Sequence, residues 1–148
     1  MSSSKPPAIL CAGIAVQDIV FRVAQFPPPG GKAMTNELRI VSGGCAVNAA
    51  IAVARLGGRA HYTGPLGDGN DPVGNQLVDG MAGEGVGTAG IVRVPNATAP
   101  VSGIMVDAAG ERMIVTHRDP RIETAVAPPA DVLLDGIDLV LADNRFPK

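Results

Sequence analysis

The sequence predicts an α/β protein: a parallel sheet with helices packed on it, and a second, thinner sheet beside it. Three observations point there. Residues 8–16 (AILCAGIAV) are continuously apolar, the pattern of a strand buried on both faces. Residues 46–56 form a helix-length apolar stretch that ends on Gly57-Gly58, a helix stop. Residues 18–23 and 37–41 instead alternate polar and apolar side chains, as half-exposed strands do.

Taken in order, residues 1–7 read as a flexible tail, with too short an apolar stretch after it for a signal peptide. The first strand is expected over 8–16, with Asp18 at its end and a more exposed strand continuing to 23. Residues 26–31 (FPPPGG) are a loop, because their prolines remove backbone donors. The helix over 46–56 carries only Asn48 and Arg55 as polar residues, so it is expected to be buried on most sides. A short strand over 59–65 follows. Asp71-Pro72 is a strong helix start, Asp as N-cap and Pro at the first helical position. Val73, Leu77 and Met81 share one face of that helix, and Gly74, Gly80 and Gly83 weaken it. Strands are predicted over 89–94 and 101–106, the latter in a hairpin with 112–117 across residues 107–111. A short helix near 130–134 leads to a further buried strand over 137–142. Residues 143–148 follow that strand with no covering helix, so the chain is expected to be the N-terminal half of a larger α/β unit.

Composition excludes several classes. A net charge of −2 offers no basic stripe for nucleic acid. No apolar run reaches the roughly 18 residues of a membrane span. The 19 Gly and 13 Pro have no period, so they mark tight turns. Cys11 and Cys45 lack any metal or redox spacing and fit reduced thiols of a cytoplasmic protein. The sequon Asn96-Ala97-Thr98 is then without consequence.

Local motifs are mostly decoys. Gly85-Val86-Gly87-Thr88-Ala89-Gly90 spells G-x-G-x-x-G, but it follows a helix and opens a strand, the reverse of a dinucleotide fingerprint. No Gly-Lys-Ser/Thr exists for a Walker loop. His61 and His117 lie far apart, and no metal site is predicted. Cys45 reads as a small packing residue, since no histidine partner is placed beside it. Ser42-Gly43-Gly44-Cys45-Ala46-Val47-Asn48 is different. Asn48 falls in the first turn of its helix, where its amide offers both donors and an acceptor next to backbone N–H groups freed by the glycines. With the Asp18 carboxylate this suits a neutral, polyhydroxylated ligand, although local chemistry alone leaves sugar and phosphate both open.

Gly43-Gly44-Cys45-Ala46-Val47-Asn48-Ala49-Ala50, then Gly57 and Gly67, resembles the first signature of PfkB-type (ribokinase-like) carbohydrate kinases. Residues 11–18 (CAGIAVQD) resemble that family's opening strand ending on a substrate aspartate. Gly64-Pro65-Leu66-Gly67-Asp68 resembles its G-x-x-G-D turn, and residues 83–86 (GEGV) its "GV" after the second helix. The resemblance runs from about Ala8 onward and implies a ribokinase-like three-layer sandwich, here its N-terminal half, with a small β-sheet lid. The lid would consist of strands near 18–23, 33–41 and 101–117.

The resemblance further implies ATP and Mg2+ as cofactors and a sugar as acceptor. By matching position, Asp18, Gly43, Gly44, Asn48 and Asp143 would bind the sugar. Arg112 resembles a lid-hairpin arginine that lies near the transferred phosphate in ketohexokinase-like members, where a planar cation suits the charge; a solvated hairpin charge is the equal alternative. A homodimer through the β lid is implied as well. Cys45 stands where many ribokinases carry Lys or Asn, and Val16 where they carry Asn. Those departures, with residues 104–112 and 139–145, favour a ketose or ketose derivative over ribose. The family's catalytic base lies in a late G-A-G-D turn, and its magnesium motif is N-x-x-E; neither occurs in these residues. The chain alone is therefore expected to bind sugar without kinase activity. A nucleoside kinase of the same superfamily, or a non-catalytic sugar-binding or dimerisation module, are the alternatives.

Overall fold

The computed structural model describes residues 5–144. Residues 1–4 of the expected tail, and Arg145 at the end of the ketose-like stretch, lie outside the described residues. The Pro6 carbonyl accepts from Arg59 Nε (3.2 Å) and the Pro7 carbonyl from the Arg59 N–H (2.9 Å).

Two four-stranded sheets organise the chain. The first is all parallel in the order β5-β4-β1-β8, with β1 Ala8–Ala12, β4 Arg59–Leu66, β5 Gly87–Arg93 and β8 Leu139–Ala142. The second has the order β3-β2-β6-β7, with β2 Val16–Arg22, β3 Glu37–Gly43, β6 Val101–Val106 and β7 Arg112–His117. In it β2–β3 and β6–β7 are antiparallel, while β2–β6 is parallel.

Helices α1 (Cys45–Arg55) and α2 (Pro72–Gly83) pack on one face of the first sheet around Cys11, Ala46, Val47, Ala50, Tyr62, Leu77 and Met81. The short helix α3 (Ala130–Leu133) lies over the other face, where Val132 and Leu133 line one cavity with Leu10 and His61. The result is three layers, helix–sheet–helix, with the second sheet set to one side. Asp71 caps α2 through the N–H groups of Val73 (3.3 Å) and Gly74 (3.0 Å) and also takes the Ala99 N–H at 2.7 Å. Gly74 is not merely a weak point of α2: a β-carbon there would press on the Asp71 carboxylate and on Arg93 Nη1. A 3-10 turn over Pro120–Thr124, not foreseen in the sequence, is capped by Asp119 and buries Ile122.

Three expectations need correction. The first strand stops at Ala12; Gly13-Ile14-Ala15 then carries the chain into the second sheet, so Asp18 is the third residue of β2 and not the end of β1. Helix α1 buries only Ala46, Val47 and Ala50 fully, and Leu56 after it is 88% exposed, because one stripe of the helix meets the sheet and no described residue covers its outer side. Strand β8 is exposed along its length, since it is an edge strand paired to β1 alone.

Candidate functional site

Two of the connections between the sheets meet at the carboxyl ends of the parallel strands, where open α/β sheets place their ligands. One is Gly13-Ile14-Ala15, between β1 and β2; the other is Gly43-Gly44, the last residue of β3 and the cap of α1. They touch. Gly44 has φ 99° and ψ 143°, a conformation that essentially only glycine adopts, and a β-carbon on it would overlap the Ile14 carbonyl oxygen. This closeness is what the double glycine supplies.

Asp18 lies opposite Val41 of β3 and Ser102 of β6. Its carboxylate reaches the Cα of Gly43 so closely that a β-carbon there would overlap it. Burial pushes the Asp18 carboxyl up from its usual range, and a hydrogen bond with the Ser102 hydroxyl opposes that rise. Ser102 is itself buried, and its Oγ lies 2.9 Å from Thr116 Oγ1 on β7. A line of polar groups, Asp18, Ser102 and Thr116, thus crosses three strands of the second sheet.

Gly44 caps α1 with no side chain, and the first helical bond runs from the Asn48 N–H to the Gly44 carbonyl at 2.9 Å. The N–H groups of Cys45, Ala46 and Val47 have no intrahelical acceptor in consequence. Asn48 is exposed on the same first turn. Asp143 follows β8; its N–H donates to the Ala12 carbonyl (2.9 Å), and its carboxylate lies where a β-carbon of Gly13 would stand. Asp18, Gly43, Gly44 and Asn48 therefore gather at one crossover, and Asp143 lies at the other. Arg112 is apart from them: it begins β7 opposite Val106, four positions before Thr116, which is roughly 13 Å along a strand.

Sequence reasoning passed over Ser102, Thr116 and Tyr62. Ser102 had a signal, a hydroxyl inside the apolar strand Val101-Ser102-Gly103-Ile104-Met105-Val106. Gly85, the start of the G-x-G-x-x-G string, has φ 81° and turns the chain from α2 into β5. His61 and His117 belong to different sheets, and among the described residues no group of three or more His, Cys, Asp and Glu side chains is placed to hold a metal ion. A separate cavity of about 420 Å3 opens on the Gln17 side of β2, between α1 and α2, with Ser42, Arg55, Gln76 and Glu84 in its wall.

Comparison with known proteins gives this arrangement its relatives. Fructokinase-1 of Oryza sativa subsp. japonica is 37% identical over 97 residues, covering 66% of this chain and 27% of that protein. A solved chain from Agrobacterium tumefaciens assigned to the ribokinases superposes with a TM-score of 0.89 at 35% identity, over 95% of this chain and 45% of the other. A ribokinase from Cryptococcus neoformans, solved with ADP, gives a TM-score of 0.67 at 27% identity, over 95% of this chain and 42% of that one. The chain thus spans less than half the length of the solved relatives it matches. The family model for the pfkB carbohydrate kinases matches residues 7–129, which take in both crossovers and both sheets apart from β8. On that match the chain belongs to the pfkB family of carbohydrate kinases.

Proposed function

We propose that this chain forms the acceptor half of a sugar kinase that moves the γ-phosphate of ATP to a hydroxyl of a ketose. The observation that carries the reading is the Asp18 carboxylate held against Gly43 at the meeting point of the two crossovers. An ionised Asp18 accepts hydrogen bonds from sugar hydroxyls. The N–H groups opening α1 donate to hydroxyl oxygens, and the Asn48 amide does both. Asp143 offers a second acceptor from the end of β8. The acceptor set has donors and acceptors in mixed order, which fits hydroxyls better than a phosphate. The fructokinase relative, at 37% identity, supports a ketose.

In the reading, the second sheet acts as a lid that excludes water from the sugar. On the face away from Asp18 its outer strands leave Leu38, Ile40, Met113 and Val115 exposed, with Val115 at 74%. An exposed apolar patch with free strand edges is a place for self-association, so we infer a homodimer through this sheet. Arg112, at the far end of β7, would meet phosphate only through lid closure. ATP supplies the transferred phosphoryl group, with Mg2+ neutralising its charge. Among the described residues no group of three or more His, Cys, Asp and Glu is placed to hold a metal ion, and the sequence holds neither a G-A-G-D turn nor an N-x-x-E motif. We infer accordingly that these 148 residues alone bind sugar without turnover, in the cytoplasm where Cys11 and Cys45 stay reduced.

Isothermal titration of the 148-residue chain with D-fructose, D-ribose and adenosine tests the reading. Fructose binding that Asp18→Asn weakens is expected. Binding of adenosine alone would move the assignment to a nucleoside acceptor, and binding of none of the three would remove the acceptor-site reading.

A further inference from the structure

We propose that Tyr62 is a positioning residue: its buried hydroxyl clamps the β1–β2 crossover and so fixes the spacing of the Asp18 and Asp143 carboxylates. The inference rests on the acceptor-site reading above. Tyr62 is the sequence's one tyrosine, and the side chain is fully buried. Its neighbours in β4 point the ring toward the core under α1, yet the hydroxyl emerges at the carboxyl end of the sheet. There it donates to the Gly13 carbonyl at 2.8 Å, and the Ala15 N–H lies near enough to oppose the rise that burial gives the phenol. One phenol therefore holds the start of the crossover and faces its end.

Gly64, two residues on, is bare where a β-carbon would overlap both the Gly13 carbonyl and the Tyr62 hydroxyl. The crossover is pressed onto β4 at that point, and the Gly13 N–H closes the contact by donating to the Thr63 carbonyl at 3.1 Å. On its other side Gly13 abuts the Asp143 carboxylate, and Ala15 leads within three residues to Asp18. Asp143 acts electrostatically on Tyr62 as well, and together with burial it keeps the phenol from ionising. Phenylalanine would keep the ring and its packing and would release the crossover.

The test compares the 148-residue chain with its Tyr62→Phe variant. Fructose affinity by calorimetry is expected to fall roughly tenfold in the variant. Amide exchange is expected to quicken at Ala15 and to stay unchanged in α2, which a general loss of stability would not produce. With no tryptophan and a single tyrosine, phenolate absorbance reports Tyr62 alone, and the phenol is expected to resist ionisation until alkali unfolds the chain. Reversible ionisation near about pH 10 in the folded chain would overturn the clamp. Equal fructose affinity in the two proteins would overturn the positioning role while leaving the acceptor site standing. Failure of the wild type to bind any sugar would instead overturn that site, and this inference with it. If Tyr62→Phe does not fold, replacing the tyrosine with 3-fluorotyrosine, which keeps the hydroxyl and alters its acidity, must shift the fructose affinity; an unchanged value overturns the role.

Discussion

Gly43→Ala is a small perturbation aimed at one group. The φ of Gly43 is not positive, so alanine fits its backbone without strain. All the heavy atoms that a β-carbon would meet within 4 Å among its nearest neighbours belong to the Asp18 side chain. The carboxylate must therefore swing away, and little else has to move. A hydrogen bond to a charged group contributes about 1.5–3 kcal/mol. Losing one such bond to a sugar hydroxyl weakens binding roughly ten- to hundredfold. Stability should hardly change: alanine restricts the unfolded chain by about 0.4–1 kcal/mol in favour of folding, which offsets the displaced carboxylate. The melting temperature should stay within about 4 °C of the wild type. Calorimetric titration with fructose, paired with thermal melts, measures both. A variant that binds fructose within about twofold of the wild type, a difference well below one hydrogen bond, would refute the claim that Asp18 holds the sugar against Gly43.

Further outcomes follow from the same geometry. Because burial raises the Asp18 carboxyl above its usual value, the folded chain holds this proton more tightly than the unfolded chain. Stability from Asp18 is therefore greatest at acid pH and falls as pH rises through that window, whereas sugar binding, which needs the carboxylate, is lost as pH falls through it. Ser102→Ala removes the bond that opposes the rise, so the acid limb of fructose binding should move to higher pH; a limb that stays in place would count against the Asp18–Ser102 contact. Asp71→Ala strips the α2 cap and orphans the buried Ala99 N–H, for about 2–4 kcal/mol in all. Its melting temperature should fall by roughly 5–15 °C by calorimetry, and a fall of less than about 2 °C would contradict the assigned bonds. Val115→Lys places a charge in the exposed apolar face of the second sheet and should convert the self-associated species to monomer by size-exclusion chromatography with light scattering. An unchanged elution profile would move the interface elsewhere.

Much of this was readable from local patterns. The cap at Asp71, the glycine stop after α1 and the hairpin at residues 107–111 are short-range devices, and short-range chemistry is visible in a string of residues. The Gly43-Gly44 crossover was legible for the same reason. What escaped is long-range. The apolar run over 8–16 hides a change of sheet at Gly13, because apolar periodicity cannot register that Ala12 pairs with Thr63 while Val16 pairs with Gly43. Ser102 and Tyr62 acquire their meaning from partners 84 and 49 positions away. The exposure of α1 and β8 depends on what covers them, which no local pattern encodes.

The parallel pairing of β2 with β6 also bears on how the molecule comes to be. Gln17 and Val101 pair although β3, α1, β4, α2 and β5 lie between them in the chain. Contacts of such sequence separation carry a large loop-closure entropy and slow the search for the native state. The second sheet is therefore not a flap that can fold by itself and then hinge onto a finished body. Its central seam, including the Asp18–Ser102 bond, closes late, so acceptor binding should emerge in refolding with the slowest phase and not with the burst of helix formation.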